Sequence, residues 1–182
     1  DPLDGTTNYA HGYPMFCVSI AYERNGQLEL GVIFDPLRRE LFVGQRGQGV
    51  TLNGQPASVS RADTLIESLL ETGFPYDRSR MQLALDQFVR LAFQTQGLRR
   101  AGAAALGLAY VAVGRLDGFW EATLSPWDCA AGALLIQEAG GTVTQLDGAP
   151  YHAECREIAA SNGRIHPALI AELEAAKAGG IR

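Results

Sequence analysis

Apolar and polar residues alternate from Cys17 to Tyr22, the period of a strand with one buried face. Asn25-Gly26 follows, a strong hairpin signal, and Leu28 to Phe34 returns as a second strand. Asp35-Pro36 predicts another turn before Glu40-Leu41-Phe42-Val43, so the opening third reads as antiparallel hairpins in series. The spacing then lengthens. Met81, Leu85, Phe88, Val89 and Ala92 fall on one stripe of a helix. Ala103 to Val113 is apolar on nearly every side and stops at Gly114, which predicts a buried helix with a glycine stop. Leu116 to Leu124 reads as a strand, and Ser125-Pro126 opens a helix that runs to Gly140-Gly141. Thr142 to Leu146 and Ile158 to Ala160 read as short strands, and His166 to Ala178 as a terminal amphipathic helix.

These elements predict a mixed α/β (α+β) architecture of packed layers, with no repeat and no linker across 182 residues. The formal charge is −5, and the 15 Lys and Arg residues are spread out, so no nucleic-acid partner is expected. No apolar run is long enough to cross a bilayer, so no membrane partner is expected either. Cys17, Cys129 and Cys155 are an odd count without metal-ligand spacing, which suits a reducing cytoplasm better than a disulfide scaffold.

Two motifs carry the candidate chemistry. In Asp1-Pro2-Leu3-Asp4-Gly5-Thr6-Thr7-Asn8, Pro2 stiffens the turn and Gly5 permits unusual dihedrals. Such a loop can aim two carboxylates and the Leu3 carbonyl at one point, the all-oxygen shell that Mg²⁺ prefers. Beyond Gly5, backbone N–H groups and the Thr6 hydroxyl can face an anion. The second motif is Ser125-Pro126-Trp127-Asp128-Cys129-Ala130-Ala131-Gly132. Ser125 to Asp128 fits a capping box with Pro126 in the first turn, so Asp128 can serve as a helix cap alone. Ala130, Ala131 and Gly132 let that helix approach a neighbour closely.

Together the two motifs resemble the paired signatures of the inositol monophosphatase family, D-P-[ILV]-D-G-T-[TS]-N and W-D-x-A-A-G. Gly102-Ala103-Ala104 and Phe119-Trp120-Glu121 between them fit as well. The similarity covers essentially the whole chain, as the family's later two-thirds. It implies a layered helix–sheet sandwich of the sugar-phosphatase type. Asp1, Leu3, Asp4 and Asp128 become Mg²⁺ ligands, and Thr6 positions the attacking water. The Gly5 and Thr6 amides face phosphate, Gly102, Ala103, Ala104 and Glu121 line the alcohol side, and Asp4 and Asp128 also count among the substrate-binding residues. Lithium inhibition and a homodimer are further implications.

The substrate implied is a small phosphorylated polyol. Fructose 1,6-bisphosphate or a regulatory binding role on the same fold are the alternatives. Relatives acting on histidinol phosphate or 3′-phosphoadenosine nucleotides usually carry Lys or Arg after D-G-T, where this chain has Thr7-Asn8. Electrostatics supports a cation. Two carboxylates about 5 Å apart repel by roughly 3 kcal/mol at an effective dielectric near 20.

Ala103 stands where many relatives carry Thr or Ser, and Gly107 where they often carry Asp or Asn. Glycine there costs about 1 kcal/mol in helix propensity. The chain opens at Asp1, without Met, directly in a motif. The expectation is therefore a single fragment, residues 1–182, of an inositol-monophosphatase-like domain whose upstream part is missing. That part would contain the family's metal-binding glutamate pair, which nothing here replaces, and Asp1 is expected to lie at a mobile end. Weaker signals are read as structural: the Gly44–Gly49 run as hairpin turns, His152 and Cys155 as a solvated loop, and His11 as scaffold.

Overall fold

The computed structural model describes residues 1–178. A short helix α1 (Thr6–Ala10) precedes five strands: β1 (Val18–Arg24), β2 (Gln27–Asp35), β3 (Glu40–Gln45), β4 (Gly49–Leu52) and β5 (Gln55–Ala57). They lie in sequence order as one antiparallel sheet. Asn25-Gly26 turns the first hairpin with φ of 53° and 75°, and Asn53-Gly54 turns the last with 50° and 78°. Both pairs meet the requirement of a tight hairpin for two left-handed residues.

The second half supplies β6 (Leu69–Thr72), α2 (Met81–Ala92), β7 (Gly97–Arg99), α3 (Ala104–Ala112) and β8 (Gly118–Ala122). It continues with α4 (Pro126–Glu138), β9 (Thr142–Thr144), β10 (Glu157–Ser161) and α5 (His166–Ala178). Its strands form a second sheet in the order β7-β6-β8-β10-β9, with β6 parallel to both neighbours and β10 antiparallel to both of its own. The predicted strand from Leu116 to Leu124 is shorter than expected. Thr123 takes φ 62° and ends the ladder. β6 and β7 were not expected from the sequence pattern.

Helices α3 and α4 pack against each other between the two sheets, while α2 and α5 pair on the outer face of the second. A helix that is apolar all round must be buried, and α3 is so along nearly its whole length. Small residues permit the close approach that the sequence suggested. A Cβ on Gly132 of α4 would stand 2.4 Å from the Leu108 Cβ of α3, and one on Gly31 of β2 only 2.7 Å from the Ala131 carbonyl oxygen. The central core contains fully buried Ile33, Phe42, Leu108 and Leu134. Truncating any of these to Ala costs roughly 2–5 kcal/mol. Its consequence for the site is rigidity: the N-terminal ends of α3 and α4 are fixed side by side. Among the described residues, no helix is long and apolar enough to cross a membrane.

Candidate active site

Gly5 sets the shape of the opening loop. Its φ is 83°, and a Cβ there would stand 2.6 Å from the Met15 carbonyl oxygen, so no other residue fits. Before it, the chain runs beside the start of the first sheet. Asp4 and Cys17 exchange backbone hydrogen bonds of 2.9 and 3.0 Å, and the Ser19 N–H donates to the Asp1 carbonyl at 2.8 Å. The Asp1 amino group donates to the Ser19 carbonyl at 2.7 Å. Asp1 is thus bonded to Ser19 in both directions. After Gly5, α1 begins at Thr6, whose hydroxyl donates to the Leu3 carbonyl at 2.9 Å.

Asn8 ties this loop to a distant one. Its side-chain amide lies 2.7 Å from the Met15 carbonyl, 2.8 Å from that of Ala101 and 3.2 Å from that of Gly102. Two N–H groups thus serve three acceptors. Gly102, at φ 83°, leads into Ala103 and the first turn of α3.

The carboxylates converge on these foundations. Asp4 Oδ2 accepts the Ala105 N–H of α3 at 2.9 Å, and Asp128 Oδ2 accepts the Ser125 N–H at the start of α4 at 2.7 Å. Asp1, Asp4 and Asp128 each bring one carboxylate oxygen to within 4.8 Å of the others. Asp128 therefore caps its helix and joins the cluster at once, so the capping reading and the ligand reading are both met by one side chain.

Close packing of three acids leaves a charge problem. Burial, followed by the repulsion of Asp128, pushes the Asp4 carboxyl up to about 6 despite the Ala105 N–H. Burial also raises Asp128, offset by the Ser125 N–H. Burial and the neighbouring Asp4 raise the Cys17 thiol, which lies 3.6 Å from Asp4 Oδ2. A donor set of three hard oxygens with uncompensated charge suits a divalent cation such as Mg²⁺.

These groups line a cavity of about 260 Å³, as do Gly5, Thr6, Gly102, Ala103, Ala104 and Glu121. Leu3 contributes no lining surface, and its carbonyl faces the Thr6 hydroxyl. Several further lining residues were not foreseen, among them Glu71, Gly73, Phe74, Tyr76 and Arg100. The Arg100 guanidinium lies 5.6 Å from the centre of the Phe74 ring, and that ring packs edge-on against Phe88 at 5.7 Å. Burial pushes the Glu121 carboxyl up to about 8 and that of Glu71 up to about 7, with Arg100 pulling both down. A period-two reading of the short segment Leu69–Thr72, which places an acid inside an apolar run, was the one signal that could have exposed Glu71.

The weaker motifs lie elsewhere. The Gly44–Gly49 run does bind an anion through backbone amides, but the anion is internal. The N–H groups of Gly47 and Gly49 each donate to the Glu138 carboxylate at 2.9 Å. The His152 N–H donates to Cys155 Sγ at 3.4 Å, closing a turn, and His11 is exposed at the end of α1.

Comparison with known proteins agrees with this arrangement. The profile of the inositol monophosphatase family matches residues 1–178. The chain is 49% identical over 177 residues to the Nus factor SuhB of Pseudomonas aeruginosa, covering 96% of this chain and 65% of that protein. It is 47% identical over 176 residues to an inositol-1-monophosphatase of Synechocystis, covering 96% and 61%. It thus spans less than two thirds of the length of these relatives. Among solved structures, the inositol monophosphatase of Anabaena (Nostoc) superposes with a TM-score of 0.93 at 51% identity, covering 96% of this chain and 70% of that one. The extragenic suppressor protein suhB of Bartonella henselae gives 0.92 at 43%, covering 96% and 67%.

Proposed function

The chain belongs to the inositol monophosphatase family, and on that premise we propose that the protein is a Mg²⁺-dependent phosphomonoesterase acting on inositol monophosphate or a similar polyol phosphate. The observation that carries this reading is the convergence of Asp1, Asp4 and Asp128 within 4.8 Å at the mouth of two helix N-termini. In this reading these three carboxylates and the Leu3 carbonyl hold the cation. When bound, Mg²⁺ neutralises phosphoryl charge and makes water a better nucleophile.

The chain's own groups do the rest. The Thr6 hydroxyl orients the attacking water, and the Gly5 and Thr6 amides receive the phosphate oxygens. Gly102, Ala103, Ala104 and Glu121 face the alcohol. Glu121 pairs with its hydroxyls rather than with the phosphate.

The natural protein is read as a cytoplasmic homodimer, which the family resemblance and three buried free cysteines support. Residues 1–182 are read as part of one domain, and alone they are expected to be inactive. They contain no counterpart of the glutamate pair that the resemblance assigns to the metal shell. The relative named Nus factor favours a second reading, a regulatory binding protein on the same fold.

One assay separates the two. The full-length natural protein is mixed with inositol 1-phosphate, fructose 1,6-bisphosphate or an aryl phosphate, with Mg²⁺ or with chelator, and phosphate release is measured. Release from the inositol ester that needs Mg²⁺ and falls with added Li⁺ is expected. No release above the chelated control would sink the phosphatase reading in favour of the regulatory one.

A further inference from the structure

Two side chains are missing from the walls of the cavity where carboxyl groups stand. A Cβ on Gly73 would lie 2.0 Å from the Glu121 carboxyl carbon. One on Gly107 would lie 3.2 Å from the Glu71 carboxyl carbon and 3.0 Å from the Phe119 ring. Gly107 sits inside α3 in an ordinary helical conformation, so the backbone does not call for glycine there. The neighbours that exclude a larger residue are Phe119 and the Glu71 carboxyl.

Glu71 pairs with Phe119 across the parallel ladder of β6 and β8, and Glu121 stands two residues further along β8. The period of a strand therefore puts Glu71 and Glu121 on the same face of the sheet. Glu71 is 3% exposed, yet it lines the cavity. Among the described residues no side chain donates a hydrogen bond to it, although Arg100 draws its carboxyl down. Burying a carboxyl without a paired cation is costly, and an apolar residue would serve a strand better.

Resting on the phosphatase reading, we propose that Glu71 is a second hydroxyl-reading group on the alcohol side, which with Glu121 selects a polyhydroxylated leaving group. A carboxyl accepts from a hydroxyl when ionised and donates to one when protonated, so either form pairs with a polyol. An alcohol without neighbouring hydroxyls leaves both acids unmatched, the situation that gives sharp discrimination between substrates.

The test uses the full-length natural protein as wild type, Glu71→Ala, Glu71→Gln, and the double variant Glu71→Ala/Gly107→Asp. Mg²⁺-supported kcat and KM are measured for inositol 1-phosphate and for an aryl phosphate, with thermal unfolding of each variant. Glu71→Ala should raise KM for the inositol ester about tenfold while leaving the aryl ester within about twofold. Glu71→Gln, which keeps a donor and an acceptor, should lie between. The double variant should recover most of the loss, because an aspartate on α3 returns a carboxyl to the same space. Equal losses on both substrates, no loss on either, or a double variant as stable as wild type that recovers nothing would each overturn the proposal. A wild type that releases phosphate from neither ester overturns the phosphatase reading itself, and this inference with it.

Discussion

Asp1, Asp4 and Asp128 form one set of acids in the cavity lining, its aspartate wall, Glu71 and Glu121 another, its glutamate wall, and the backbone treats the two sets differently. Asp4 and Asp128 each give one oxygen to a backbone N–H, of Ala105 and Ser125, and bring an oxygen to the shared point. Those donors favour the charged form, which in the proposed reading suits a cation, and they offset part of the rise that burial causes. Glu71 and Glu121 rise from a sheet into spaces left by Gly107 and Gly73, and burial lifts them to about 7 and about 8. They are poised to be partly neutral near physiological pH, which suits hydroxyls. In the proposed reading the same functional group takes two tasks, set by what lies beside it.

The largest effect should come from the aspartate wall. Asp128→Asn keeps an acceptor for the Ser125 N–H, and Asn caps helices well, so the fold should survive. Turnover should fall roughly 10³-fold, about 4 kcal/mol of barrier. Steady-state kinetics with a thermal melt checks both halves, and a variant that keeps most activity would reduce Asp128 to a cap. In the glutamate set, Glu121→Gln should raise KM for inositol 1-phosphate by about fivefold to tenfold with little change in kcat. A uniform loss that extends to an aryl phosphate would erase the division of labour between the walls.

Proton linkage sharpens the contrast further. The folded-state values of Asp4, Glu71 and Glu121 all lie above the ordinary carboxyl values of 3.8 and 4.5. Between those values and about 8 the metal-free folded chain keeps protons that the unfolded chain has released. Its stability should therefore be fullest at the acid end of this window and fall as pH rises through it. Saturating Mg²⁺ should oppose the part due to the aspartate wall and leave the glutamate part. Melting temperatures from about pH 5 to pH 8, with and without Mg²⁺, read this out. A metal-free protein that gains stability across that range contradicts the assignment.

The smallest effect concerns an acid outside the cavity. Glu138→Ala should cost about 1–2 kcal/mol by stranding the Gly47 and Gly49 amides, with kcat and KM unchanged. Urea unfolding beside kinetics tests it, and altered kinetics would show that the cavity is not insulated from that loop.

The sequence discloses one wall far better than the other, for physical reasons. Asp1–Asn8 and Ser125–Gly132 are local: a left-handed glycine, a proline and a capping box act within a few residues and leave a readable pattern. The hairpins, α2 and α5 are legible because burial of one face imposes a period, and α3 and α4 because each is a buried run that stops at glycine. Strands β6 and β7 are only four and three residues long, and parallel pairing with distant partners defines them. Glu71 consequently looks like any surface acid until β8 and α3 close over it. Phe74 and Arg100 reach the cavity from segments with no motif. The phosphate-loop echo at Gly44–Gly49 misleads in the opposite sense, since its amides do hold an anion, one supplied by α4.

The Asn8 tie also fixes when the cavity can exist during folding. Asn8 meets Ala101 and Gly102 across 93 and 94 residues, and Asp4 meets Ala105 across 101. Contacts so distant along the chain pay their loop-closure entropy late, after the local hairpins and helices have formed. A ribosome must therefore release most of this sequence before the acids are brought together. A nascent chain carries Asp128 far from Asp1 and Asp4, and the cluster of three carboxylates is one of the last features of the fold to form.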